Sequence, residues 1–106
     1  MSTKLAQFSA DLRNELINCR YCMEKQGMNR NLAYNIFEVS RKMVARFIEA
    51  EKNGDFSNDA EYYVERLKNR LCDFSENAIK LLESVEGLGA VWFYCNIPSA
   101  EEQDRV

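Results

Sequence analysis

Cys19-Arg20-Tyr21-Cys22 carries the spacing of a redox dithiol or of half a zinc site, with Cys72 and Cys95 left over as further ligands. A redox pair of that kind works where it opens a helix after a strand, because the helix dipole there favours the thiolate. This pair falls instead near the end of a helical stretch. Structural zinc takes its cysteines in pairs from turns, and neither Cys72 nor Cys95 has a close cysteine neighbour. The reading is therefore that Cys19 is a core residue flanked by Cys22. The four thiols are expected to be free and mostly buried, with no metal or other cofactor.

Histidine is absent. That removes the commonest general base, the Ser-His and Cys-His couples and the Glu-x-x-His di-iron motif. Glu38–Lys42 and Glu76–Lys80 stand four apart in the favourable order, which is how solvated helix faces look. No two carboxylates stand out as an acid and a base, and the chain reads as non-enzymatic.

Positive charge gathers in two places. Arg30, Arg41, Lys42 and Arg46 share one helical segment. Arg66 and Arg70 form a like-charge pair one turn apart on the next, mildly unfavourable unless something anionic answers it. A dimeric nucleic-acid-binding regulator would grip phosphates with Arg41, Lys42, Arg46, Arg66 and Arg70. Against that stands a net charge of −3, with 17 acidic residues and 14 basic ones, which favours a solvated face balanced by neighbouring acids.

Apolar surface is in surplus. Along the first helical segment Ala6, Ala10, Ile17 and Tyr21 make a second stripe, well off the main one. Either the segment Trp92-Phe93-Tyr94 folds back over it, or a second copy or a different protein does. Tyr34 and Tyr62 also lie off the main stripes of their helices. Ala10, Ile17, Tyr21, Tyr34 and Tyr62 are thus the expected partner-binding residues.

These residues need elements to position them, and the spacing supplies helices. Leu5, Phe8, Leu12, Leu16, Cys19 and Met23 recur at gaps of three and four, giving a helix from about Thr3 to Gln26 with Gly27 as its stop. A second helix opens at Asn29 or Asn31 and runs to about Lys52 before Asn53-Gly54. Leu32, Ile36, Val39, Met43, Phe47 and Ala50 make its stripe, widened by Ala33, Phe37, Val44 and Ile48. That breadth predicts the most buried element. The third helix is expected to open with Asn58 capping and Glu61 answering it, then run to Gly87 on Ala60, Tyr63, Val64, Leu67, Leu71, Phe74, Ala78, Leu81, Leu82 and Val85. Ala90 to Pro98, rich in aromatic residues, is expected as a short helix or an extended strip on the bundle.

The fold expected is all-α, an antiparallel three-helix up-down-up bundle carrying a short aromatic C-terminal segment. Residues 1–98 form one domain, and 99–106 an acidic, frayed tail. At 106 residues a real core is possible, burying roughly 60–70% of the unfolded surface. No run approaches the ~20 apolar residues of a membrane span, and no secretory signal opens the chain, so a soluble, cytoplasmic protein is expected. Small, acidic, histidine-free helical chains of this profile are common among inhibitors, immunity proteins, phage- or plasmid-encoded anti-defence proteins and secretion chaperones. The function expected is docking on another, larger protein as an inhibitor or adaptor, with a homodimer compatible and nucleic acid as the alternative partner.

Overall fold

A computed structural model describes residues 2–84 and 87–100. Among them the chain is all-α: α1 (Thr3–Gln26), α2 (Arg30–Lys52), α3 (Glu61–Glu83) and α4 (Leu88–Asn96). No helix is long and apolar enough to cross a membrane. Val85, placed at the end of the third stripe, and the acidic residues 101–106 lie outside the described residues.

Local chemistry sets the ends of the first two helices. The Ser2 hydroxyl caps α1, accepting from the Leu5 amide at 3.1 Å. Of the two candidate caps for α2, Asn29 is the one used, its Oδ1 accepting from Leu32 N at 2.9 Å. Gly27 and Gly54 follow these helices with φ of 71° and 77°, a region that favours glycine. The capping box expected at Asn58 does not form. α3 begins at Glu61, its cap position is Ala60, and no side chain caps it. The carboxylate next to Asn58 is engaged elsewhere. Asp59 accepts from Ser2 through both the backbone amide and the hydroxyl, tying the α2–α3 loop to the start of α1.

The α1 stripe buries in full and those of α2 and α3 in part: Val39, Ala50, Val64 and Leu82 are half-buried, and Ala60 and Tyr63 are exposed. α1 buries the six residues Leu5, Phe8, Leu12, Leu16, Cys19 and Met23. α3 buries Leu67, Leu71, Phe74, Ala78 and Leu81 from its stripe, and Asn77 beside them. Phe8 at the start of α1, Phe47 near the end of α2 and Phe56 of the loop form an aromatic cluster with ring centroids 5.6–6.3 Å apart. The expectation that α2 would be the most buried element does not hold. α1, α2 and α3 each bury six residues, so α2 is level with its neighbours, and Ile48 on its flank is 57% exposed. The buried polar groups answer themselves within their helices: Ser40 donates to Phe37 O at 2.7 Å and Asn77 Nδ2 to Asp73 O at 2.8 Å.

The aromatic segment is a helix. α4 carries no charged residue; it sends Phe93 into the core, and Ile97 just past its end follows, leaving Trp92 half-buried and Tyr94 exposed. Its axis comes close to α3 at Gly89, where an added Cβ would lie 2.5 Å from Asn77 O and 3.0 Å from Leu81 N.

Candidate functional site

α4 has nine residues, about 13 Å at 1.5 Å per residue, against 23 in α3. It therefore covers only part of the face that α1 and α3 present. Two arginines secure its C-terminal end, where helix carbonyls lack amide partners and the dipole is negative. Arg20 of α1 donates to the carbonyls of Ile97 and Tyr94 and stacks 5.4 Å from the Tyr94 ring. Arg70 of α3 donates to Asn96 O at 3.3 Å and stands 5.8 Å from the Trp92 ring.

Beyond that end the α1–α3 face stays open as a groove of about 720 Å³. It runs along α1 from Leu5 to Ile17 and along α3 from Tyr63 to Asp73, and Ile97 and Pro98 close one end. Leu5, Leu12 and Leu16 lie beneath it, already buried. Its accessible walls are Ile17, Tyr63, Pro98 and the stems of Arg13, Arg66 and Arg70. Three arginines against one aspartate, Asp73, make this groove positive in a chain whose net charge is −3.

The arginines differ in what holds them. Arg20 pairs with Glu24 at 2.7 Å, Arg41 with Glu38 at 3.3 Å and Arg46 with Asp11 at 3.0 Å, while Arg70 is held by α4. Among the described residues Arg13, Arg30 and Arg66 have no carboxylate or carbonyl partner, and two of those three line the groove. Glu38 thus pairs with Arg41 and not with Lys42, and no ion pair links Glu76 to Lys80 among the described residues.

The residues expected to bind a partner are dispersed. Ile17 lines the groove. Ala10 and Tyr21, about 20° and 40° from Ile17 around α1, are both exposed, and the Tyr21 ring lies 5.7 Å from Lys25 Nζ. Tyr34 on α2 is 55% exposed, and Tyr62 is 65% exposed at the start of α3, edge-on to Tyr63 at 5.5 Å. The basic residues are divided too. Asp11, which holds Arg46, and Arg13, which lines the groove, stand about 200° apart around α1. Arg46, with Lys42 about 40° from it around α2, therefore lies on another side of the bundle from Arg66 and Arg70, and Arg41 is turned about 140° away from Arg46 and pairs with Glu38. Arg13 and Tyr63 were not singled out from sequence. The signal that could have found them was Arg13 lying one turn from Ile17, on the flank facing the like-charged Arg66–Arg70 pair.

The cysteines are free, but they are not mostly buried as expected: Cys19 is buried, Cys22 beside it half-buried, and Cys72 and Cys95 are exposed. Burial, helped by Glu15 and Cys22, pushes the Cys19 thiol up to about 12, the opposite of a redox nucleophile. Among the described residues no three Cys, Asp or Glu side chains converge where they could hold a metal ion.

Compared with family models, curated proteins and solved structures, the chain matches none.

Proposed function

We propose that the chain is a non-enzymatic protein-binding module that receives its partner in the α1–α3 groove. The observation that carries this reading is the open part of that face, with unpaired Arg13 and Arg66 beside Ile17 and Tyr63. Four-helix bundles bury such a face with a full-length helix, whereas α4 stops short of it. An up-down-up course of the three long helices supports the same picture. Ser2, Phe47 and Asp59 meet at one end, so α1 and α3 would run parallel and flank a trough. As an inhibitor or adaptor, the module would use Ile17 at the contact, and the exposed Tyr21, Tyr34 and Tyr62 would serve other faces.

The test is a photo-crosslinking side chain placed at Arg13 and, as a control, at Lys42 on the far surface. Discrete protein adducts from position 13 that vanish with Ile17→Asp are expected. Adducts from both positions alike, or from neither, would end this reading. Light scattering at several concentrations then tells whether the partner is a second copy. A nucleic-acid reading keeps one supporting observation, the shared groove of Arg66, Arg70 and the exposed Tyr63 ring, which could stack on a base. The negative net charge and the separation of the α2 cations weigh against it.

A further inference from the structure

Resting on the reading of the groove as a docking surface, we infer that its occupant is a short acidic amphipathic helix of a partner protein. Length comes first. The walls run from Leu5 to Ile17 on α1, about 18 Å at 1.5 Å per residue, which admits roughly three helical turns laid end to end with α4. Shape comes second: a trough between two helices, stopped at one end by Ile97 and Pro98, accepts a rod. Chemistry decides the rest. Ile17, Tyr63 and Pro98 offer apolar contact to one stripe of such a helix. Arg13 on one wall and Arg66 on the other present guanidinium groups without carboxylate partners, one for acids on each flank of that stripe. The rest of the chain is acidic, so long nucleic-acid strands would be repelled beyond the groove while a three-turn acidic helix would not reach that far.

The experiment uses the full chain and a fluorescent synthetic peptide of about 14 residues, with leucines at i, i+3, i+7 and i+10 and glutamates on both flanks. Its twin carries lysine at every glutamate, and a single-stranded oligonucleotide of similar length is the third probe. Anisotropy should report saturable binding of the acidic peptide only. Arg13→Glu with Arg66→Glu should weaken it at least tenfold, and Lys42→Glu should leave it unchanged. Arg13 and Arg66 lack partners and are exposed, so the double variant keeps its fold, which circular dichroism checks. No saturable binding of the acidic peptide, or binding indifferent to the double variant, overturns the inference. Binding of the lysine twin that Ile17→Asp abolishes would overturn the acidic partner while keeping the groove. Binding of the oligonucleotide alone would overturn the protein-docking reading as well.

Discussion

Phe93 of α4 meets Phe74 of α3 edge-on, with ring centroids 5.9 Å apart and neither ring accessible to water. Trp92 packs against Phe93 at 4.9 Å but stays half-buried, so the anchor of the C-terminal helix is its neighbour and not the tryptophan. Phe93→Ala should cost about 3–5 kcal/mol, the range for deleting a buried aromatic ring. Tyr94→Ala, on the exposed side, should cost under about 1 kcal/mol. Urea unfolding of the two variants checks the order, and equal losses would contradict it.

Gly89 is where α4 lies closest to α3. A Cβ there would meet backbone atoms, Asn77 O at 2.5 Å and Leu81 N at 3.0 Å, which cannot turn aside as a side chain can. Gly89→Ala should therefore push α4 outward, at a cost of about 1–3 kcal/mol. Trp92 is the single tryptophan, so a red-shifted emission in the folded variant reports the displacement directly. An unshifted spectrum with unchanged stability would mean that α4 accepts the Cβ without moving and that the approach at Gly89 is not tight.

The long helices were legible because their apolar residues repeat with one period and face one core: the six residues of the α1 stripe are the six that α1 buries. What escaped was whatever depends on a neighbour in space. Asn58 and Glu61 have the spacing of a capping box, but Asp59 is held by Ser2, 57 residues earlier, and the helix starts beyond it. Phe56 is buried because it meets Phe8 and Phe47, a contact that no local period announces. Arg70 resembled half of a phosphate grip and instead secures the end of α4. The groove exists because α4 is short, and a pattern read along α1 alone shows only that Ile17 is off the stripe.

Asp11 and Arg46 form the ion pair that ties α1 to α2, at 3.0 Å with both side chains partly in solvent. The hydrogen bond from Arg46, with a second from Gln7, holds the Asp11 carboxyl below its ordinary 3.8. A depressed carboxylate contributes stability above its unfolded value and loses it as the pH falls through the folded one. In Arg46→Met, which keeps an apolar stem near Phe8, the Asp11 titration followed by NMR should move up toward 3.8. The loss of stability at pH 7 should be under about 1 kcal/mol, because an exposed pair is worth little. An unmoved titration would show that Gln7 and not Arg46 sets it.

The four cysteines should separate by environment when titrated with a thiol reagent at pH 8. Cys72 and Cys95, both exposed, should react fast, and half-buried Cys22 more slowly. Cys19 should react only when the chain unfolds, since its thiol is raised from 9.0 to about 12, mainly by burial. The same shift fixes a pH dependence. In the unfolded chain this thiol ionises near 9 and in the folded one near 12, so stability is whole below 9 and declines as the pH rises between them. The slope from this one group approaches about 1.4 kcal/mol per pH unit. Cys19→Ala should lower stability at pH 7 through the cavity it leaves, yet flatten the alkaline decline relative to the parent. If parent and variant decline in parallel above pH 9, Cys19 is not the group responsible.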